Sequence, residues 1–411
     1  MTLQKIRITN NGSYAAFLAI LFAISPILAL CVSVMMYKNW VSQTFFILFA
    51  FYFGYQLGPN LDLMQHYVNY QTFFGKSFFD RYTDFATLYL GKEPFHIVFK
   101  YFLSRVEVDS RMFSGFAAAV YSTVFIYFLR QFKGFYTQDM GSFRTLVFLV
   151  LAVVVEFYWY FGLRFWTGGF VFMVFYCKYV ISGKKKYLCL TLTALLFHFA
   201  LFAVIAVALL AEIMKRYKPV LYILVGVSFI YKQVQWNLIS FLSSFPIFQA
   251  LFKSSYQSTS VQQAISARAK EYYEKGNMVY QSRIPMLMIF FFAILALLWT
   301  RNKNVTKSHP QMYASILILL AIANFGHADF VFYERYLKFC CLISYSYLFI
   351  ILFDKANDWI NHTIFTKFVL VGMFVIALFI PLYQQRALIS EMALWFGNFF
   401  TLIPLKELGN T

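Results

Sequence analysis

The sequence predicts an all-α protein that crosses a membrane many times, and composition, run length and charge placement each indicate it. Hydrophobic residues make up 61% of the chain and charged residues 13%, whereas soluble domains are nearer half apolar and a quarter charged. Apolar runs of about 18 residues or longer recur along the chain, and each suits a bilayer core about 30 Å thick. We therefore expect residues 1–411 to form a single transmembrane domain.

About ten of the apolar runs are predicted to be transmembrane helices. A formal net charge of +18 would suggest nucleic acid in a soluble protein, but here the basic residues stand between apolar runs, where anionic headgroups explain them. The predicted spans lie at about 14–36, 43–57, 110–131, 143–162, 165–182, 219–241, 284–300, 310–328, 336–353 and 365–383.

One further apolar block, residues 187–211, is predicted to enter the membrane and return on the same side. Basic loops face the cytoplasm, and this rule holds for every basic loop only if the block does not cross. We therefore expect a re-entrant pair of short helices that turns near Phe197 and His198; one ordinary span with a weakly enforced charge rule is the alternative. The basic loops are Arg130/Lys133/Arg144, Lys184–Lys186, Lys215/Arg216/Lys218 and Arg301/Lys303/Lys307.

Two long polar segments, 58–109 and 232–283, are predicted on the outer side. In the first, Gly58-Pro59 ends the second span, and PFHIVFKYFLSRV reads as an amphipathic helix. In the second, SVQQAISARAKEYYEKG reads as a helix with a capping box at its start and a glycine stop. With this orientation, five separated pieces of chain bring polar groups to one membrane face.

Arg164 and His198 are candidate functional residues because both lie in apolar sequence. An arginine between spans is costly and usually faces a partner or a cavity, and its planar fork suits phosphate oxygens. Snorkelling at a span end is the alternative for Arg164. His198, in ALLFHFAL, is either a hydrogen-bonded core histidine or a donor or proton acceptor facing a cavity.

The arginines of the later outer segments are further candidates. Arg335 follows Asp329 and Glu334, so that it is either a phosphate or sugar clamp or part of an interfacial ion pair. Arg268 and Arg283 belong to the long segment 232–283 and are either ligand contacts or solvated surface charges.

Outer carboxylates near spans, Asp62 and Glu93 among them, are candidates for a general base. His66 and His96 have no special spacing, and no zinc, P-loop, nucleophile-elbow or D-x-D motif is present. The lack of D-x-D argues against a metal-dependent nucleotide-sugar transferase but not against a lipid-linked one. The cysteines at 31, 177, 189, 340 and 341 lie in or beside apolar runs and imply no disulfide.

Taken in order, these residues resemble the EpsG/Wzy group of bacterial polysaccharide polymerases over roughly residues 45–350. After its second span the family shows an aspartate that is followed five residues later by a tyrosine, and then a glutamate before an aromatic-rich helix. Next come an arginine that opens a span ending in lysines, and a buried histidine. An arginine-tyrosine pair opens a late span. The matching residues here are Asp62 and Tyr67, Glu93, Arg164 with Lys184–Lys186, His198, and Arg335 with Tyr336.

The resemblance implies a GT-C-like glycosyltransferase without a cofactor, in the bacterial inner membrane. It would join oligosaccharide repeat units carried on undecaprenyl pyrophosphate at the periplasmic face, alongside membrane lipids and a chain-length regulator protein. Asp62, His198 and Arg164 would be catalytic; Arg335, Arg268, Arg283, Tyr67, Glu93, Tyr336 and Asp329 would bind substrate.

Other functions fit parts of the same pattern. A lipid-linked oligosaccharide flippase would show repeat-related halves, and we see none. A membrane acyltransferase would favour a histidine near the cytoplasmic side. A structural or assembly protein would not need five polar segments on one face, and a related ligase or other lipid-linked glycosyltransferase is a further alternative. The sugars and the product (O-antigen of lipopolysaccharide, capsule or exopolysaccharide) stay open.

Overall fold

A computed structural model describes residues 11–36, 39–58, 61–71, 73–74, 94–132, 163–231, 309–326 and 330–352. These residues are 87% helical and contain no β-strand, which confirms the all-α class. The predicted spans 143–162, 284–300 and 365–383 and the predicted helix near residue 265 lie outside the described residues.

The chain divides into two compact units. Unit 1 comprises Met1–Phe128, Phe157–Phe170 and Gln384–Thr411, and unit 2 comprises Leu129–Glu156 and Val171–Tyr383.

Five predicted spans correspond to helices at nearly the predicted positions. Apolar side chains cannot form hydrogen bonds with the backbone N–H and C=O groups of these runs. In an α-helix these groups bond to each other within the segment. The helices are α3 (Trp40–Leu57), α6 (Ser110–Arg130), α7 (Phe165–Ser182), α11 (Pro310–Phe325) and α12 (Phe330–Leu352).

The first predicted span, 14–36, is two helices, α1 (Asn11–Ile24) and α2 (Pro26–Met35). Proline lacks the N–H that would continue the helix, so a new helix begins with it at the first position. Ser25 is extended at the break, and its Oγ accepts a hydrogen bond from the Leu28 N–H at 3.4 Å. The single continuous helix expected here is therefore interrupted.

Gly58 ends α3, as Gly58-Pro59 predicted. Its φ is +67°, in the left-handed region that favours glycine, and its N–H still bonds to the Gly54 carbonyl at 3.1 Å. The next helix, α4 (Leu61–Gln71), starts three residues later. Asp62 is its second residue, which places this residue in the first turn of the helix that follows α3.

Small residues let α3 and α6 approach closely in unit 1. A Cβ added to Gly54 would lie 2.6 Å from the Ser114 carbonyl oxygen, and one added to Gly115 would lie 2.9 Å from the ring of Phe51. Glycine at such positions lets helix backbones meet, as is common between membrane helices.

The amphipathic segment predicted near residue 100 is helix α5 (Pro94–Ser104). Tyr70 of α4 is fully buried, and its hydroxyl donates to the carbonyls of Leu103 at 3.2 Å and Val108 at 3.1 Å. Burial, then the charge of a nearby Tyr67, raises the pKa of Tyr70 to about 12. Tyr70 therefore fixes α4 against the end of α5 as a neutral donor.

In unit 2 the apolar block 187–211 is an interrupted helical hairpin. Helix α8 (Lys185–Leu190) continues as a 3₁₀ helix (Thr191–Leu196), the chain turns at residues 197–200, and α9 (Leu201–Met214) follows. Each arm rises about 21 Å, at about 1.5 Å per α-helical and 2.0 Å per 3₁₀ residue. Each arm is thus shorter than a bilayer core of about 30 Å.

The two ends of this hairpin lie together. Glu212, at the end of α9, accepts hydrogen bonds from Lys215 and from the hydroxyl of Tyr179 of α7. Burial raises the pKa of Glu212, but these bonds and the charges of Lys215 and Lys185 lower it by more, so that the net shift is downward. Since Lys185 begins α8, the chain has returned to its starting level.

Helices α11 and α12 form the core of unit 2 and are buried on nearly all sides. Hydrogen bonds between polar side chains join α11 to α7 and to α10 (Lys218–Tyr231). Hydrogen bonds between helices stabilise their packing when the outer surface of the protein is also apolar. The pairs are Tyr176 and Ser315 at 2.6 Å, Asn324 and Ser228 at 3.0 Å, and Tyr222 and Tyr313 at 3.3 Å.

Two helices of the described part, α6 and α7, are long and apolar enough to cross a membrane. The described helices α1, α9, α10 and α11 are apolar but shorter. The two long helices support membrane association, and the expectation of about ten spans stays a prediction.

Replacing Tyr70 with phenylalanine should destabilise unit 1, because two buried carbonyls lose their shared donor. We expect a loss of about 1–2 kcal/mol, measured by thermal or denaturant unfolding of the purified protein in detergent. Tyr217→Phe is the matched control, because Tyr217 is 56% exposed. Equal stability of the two variants would contradict the assigned role of Tyr70.

Candidate functional site

The turn between the arms of the hairpin holds His198. The N–H groups of Phe197 and His198 both bond to the Ala194 carbonyl, at 3.1 and 3.2 Å, and the His198 carbonyl accepts from the Leu201 N–H at 3.1 Å. The side chain of His198 is half-buried. The histidine therefore lies where the helix is interrupted, as the sequence predicted.

Tyr336 connects the start of α12 to this turn. Its hydroxyl donates to the Ala200 carbonyl at 2.6 Å, across 136 residues of sequence, and the side chain is only 4% exposed. Arg335, the preceding residue, is half-buried. Two motifs that the sequence singled out separately, the histidine and the arginine-tyrosine pair, thus come together in unit 2.

Phe332 holds Tyr336 in place from the preceding turn of α12. The two rings lie 4.2 Å apart between centroids. A Cβ added to Gly326, just after α11, would lie 2.2 Å from Cδ1 of Phe332. The absence of a side chain at Gly326 therefore makes room for the ring that supports Tyr336.

Arg164 lies directly before α7, in unit 1. Its carbonyl accepts the first backbone bond of that helix, from the Gly168 N–H at 3.0 Å, and its side chain is half-buried. The flanking Phe165 and Trp166 are buried and in edge-to-face contact, with centroids 5.2 Å apart. Arg164 thus lies beside buried aromatic side chains at a helix end, a position from which a long arginine side chain can extend toward polar surroundings.

Tyr67 packs against other aromatic rings of unit 1. Its ring lies 5.5 Å from that of Tyr70 and 5.8 Å from that of Phe113. The side chain is half-buried. Its substrate-binding role stays a prediction, and its packing role is observed.

The structure places a group of titratable side chains together that the sequence spacing did not reveal. The Lys100 Nζ lies 3.2 Å from Nδ1 of His66, and the rings of His66 and His96 are 4.7 Å apart at 77°. We call these three residues the histidine–lysine cluster. His96 and Lys100 are four residues apart on α5, which puts them on one face of that helix. Their pairing with His66 of α4 depends on how the two helices pack.

The other candidate residues stay predictions. Arg268, Arg283, Glu93 and Asp329 lie outside the described residues, as does the side chain of Asp62. Among the described residues no group of three histidine, cysteine or acidic side chains is arranged to hold a metal ion.

The chain has no significant match among protein-family models, curated proteins or solved structures.

Replacing Gly326 with alanine should destabilise unit 2, because the new methyl group overlaps the ring of Phe332. We expect a cost of about 1–3 kcal/mol, typical of overpacking, measured as a shift in unfolding midpoint. Gly226→Ala is the control: its Cβ would meet nothing within 4 Å, and alanine in a helix is favoured by about 0.5–1 kcal/mol. A Gly326→Ala protein as stable as Gly226→Ala would contradict the tight packing behind Tyr336.

Proposed function

We propose that this chain is a multi-pass, GT-C-like glycosyltransferase of the bacterial inner membrane. It polymerises oligosaccharide repeat units carried on undecaprenyl pyrophosphate at the periplasmic face. The observation that carries this proposal is the bond from Tyr336 to Ala200. It joins the His198 turn to the Arg335-Tyr336 motif, the two latest elements of the polymerase resemblance.

The hairpin supports a membrane setting. Two arms of about 21 Å, ending at a common level among lysines, suit a segment that enters a bilayer and returns. Non-helical backbone at membrane depth requires shielding by protein or a watery cavity, and the contact of Tyr336 with the turn supplies protein at this point. The alternative of one ordinary span does not fit a chain that doubles back.

The lateral surfaces of α9 and α10 support the same setting. Ile213 on α9 and Ile223 and Ile230 on α10 are each more than 60% exposed. Apolar side chains exposed on successive helices suit a protein or membrane contact. Acyl chains on these faces would explain why α9 and α10 carry apolar residues on both their buried and their exposed sides.

The proposed reaction breaks the bond between the anomeric carbon of the donor sugar and the pyrophosphate oxygen, and forms a bond from that carbon to an acceptor hydroxyl oxygen. The leaving pyrophosphate gains negative charge. Arg335 and Arg164 are proposed to bind it, since guanidinium groups stabilise oxyanions without a metal. The hydroxyl proton passes to a general base, for which Asp62 and His198 are the candidates.

The remaining candidates have supporting roles in this proposal. Arg268, Arg283, Tyr67, Glu93, Tyr336 and Asp329 would bind the sugars and the pyrophosphate. A chain-length regulator protein would be a partner, because polymer length is not set by a single transfer step.

A deletion strain tests the proposal when it is complemented with wild type, Arg164→Ala or Arg335→Ala. We expect wild type to restore a ladder of surface polysaccharide on a gel, and each variant to leave mainly single repeats. Loss of a charge-stabilising donor typically lowers a rate by about 10²–10³-fold. Arg216→Ala removes an exposed charge and is the control.

Immunoblots of the membrane fraction must show equal amounts of each protein. A normal ladder from both arginine variants would reject their role. A deletion strain with no glycan on its surface would indicate a flippase, and one with an unchanged ladder would favour the acyltransferase.

A further inference from the structure

The two ends of the helical hairpin meet at a surface that is rich in lysine. Lys185 begins α8, before the first arm, and Lys215 directly follows α9, the second arm. Both act on one carboxylate: Lys215 donates a hydrogen bond to Glu212, and Lys185 lies close enough for its charge to act on the same group. The hydroxyl of Tyr179 also donates to Glu212, so the end of α7 belongs to the same surface.

Tyr187 of α8 brings two further lysines to this surface. The Nζ of Lys178, on α7, lies 5.7 Å from the centroid of the Tyr187 ring, and the Nζ of Lys186 lies 5.3 Å from it. Both distances are within the range of a cation–π contact, about 6 Å. Gly183, with a φ of +69°, forms the sharp turn between α7 and α8. We call the lysines at positions 178, 184, 185, 186 and 215 the lysine patch.

The lysine patch carries more positive charge than the neighbouring sequence neutralises. Glu212 is the only acidic residue from position 157 to position 270, and Lys215 pairs with it. Lys184, Lys185 and Lys186 are exposed, and within the part of the chain that the structure describes they form no ion pair. Three adjacent ammonium groups are therefore available to an external anion.

Exposed apolar side chains lie close to the lysine patch on the same helices. Ile181, in the last turn of α7, and Leu190, at the end of α8, are each 39% exposed, and Ile213, in the last turn of α9, is 66% exposed. A soluble anion or a nucleic acid would gain nothing from such side chains, whereas a lipid has acyl chains next to its charged headgroup. Basic clusters beside apolar helices are typical of contacts with anionic lipid headgroups.

We propose that the lysine patch binds the phosphate headgroups of anionic phospholipids where the hairpin enters the bilayer. The ammonium groups contact phosphate oxygens, and Ile181 and Ile213 contact the acyl chains. This contact holds both ends of the hairpin at headgroup level, and the arms extend up to about 21 Å from there toward the His198 turn. The proposal rests on the membrane setting of the proposed function and not on the polymerase reaction.

The test is lipid binding to the purified full-length protein in detergent, measured by native mass spectrometry. The probes are an anionic phosphatidylglycerol, a phosphatidylcholine with the same palmitoyl and oleoyl chains, and glycerol 3-phosphate as a soluble anion. We expect wild type to prefer phosphatidylglycerol to phosphatidylcholine by about tenfold or more. A lysine near an anionic lipid surface contributes about fivefold, so Lys184→Gln/Lys185→Gln should weaken phosphatidylglycerol binding by about tenfold or more.

Two matched variants are the controls. Lys184→Arg/Lys185→Arg keeps both positive charges and should keep the affinity for phosphatidylglycerol. Arg105→Gln/Arg111→Gln removes the same charge from unit 1 and should bind phosphatidylglycerol as wild type does, because neither arginine belongs to the lysine patch.

Equal affinity of wild type and Lys184→Gln/Lys185→Gln for phosphatidylglycerol would overturn the site. An equal loss in the unit 1 variant would also overturn it, because net charge alone would then decide binding. Glycerol 3-phosphate bound as tightly as phosphatidylglycerol would overturn lipid as the ligand. Binding lost only in the lysine variant supports the patch even when the deletion strain keeps its ladder, in which case the proposed polymerase function alone fails.

Wild-type protein provides a second measurement should the glutamine variant fail to fold. Exposed lysines react with acetic anhydride, and mass spectrometry of peptides locates the acetyl groups. Phosphatidylglycerol should slow the acetylation of Lys184, Lys185 and Lys186 severalfold relative to phosphatidylcholine, because bound phosphate covers their ammonium groups. Equal acetylation rates in the two lipids would overturn the proposal.

Discussion

The hydroxyl of Tyr336 is buried, and it donates a hydrogen bond to the Ala200 carbonyl at the turn of the hairpin. Burying a hydroxyl without a hydrogen bond costs several kcal/mol in an apolar setting, roughly 2–7 depending on the reference. Ala200 is the N-cap of α9 and makes no side-chain capping bond. The hydrogen bond to its carbonyl joins the start of α9 to α12, and the support behind Tyr336 extends through Phe332 to Gly326.

Which side chains a helix exposes depends on whether its surroundings are water or lipid. In water, burial of apolar area drives packing, and polar faces point outward. Helix α5 buries Lys100 and exposes Phe102, which reverses that order. In a bilayer the apolar exterior carries no penalty, and helices associate instead through small residues and hydrogen-bonded polar groups. Gly54 against Ser114 in unit 1 and Asn324 with Ser228 in unit 2 are contacts of this kind.

Helix positions followed from the sequence because they depend on local properties. Run length and apolar content placed α6 and α7 nearly to the residue, and Gly58 marked the end of α3 through its backbone freedom. Charge placement predicted that the chain reverses near His198, and the hydrogen bond from Tyr179 of α7 to Glu212 brings the end of the hairpin back to the helix that precedes it. The break at Pro26 also has a local cause, because a proline in an apolar run interrupts the helix. The span prediction missed this break because hydropathy averaged over a window does not register a single proline.

The site was less predictable because side-chain partners depend on which helices pack together. His66 and His96 are separated by thirty residues, and neither spacing nor composition pairs them; the packing of α4 against α5 does. The same holds for the 136 residues between Ala200 and Tyr336. The family resemblance singled out the arginine-tyrosine motif and the histidine separately. The geometry links them: the tyrosine bonds to the turn in which the histidine lies, so we expect a change at one motif to alter the position of the other.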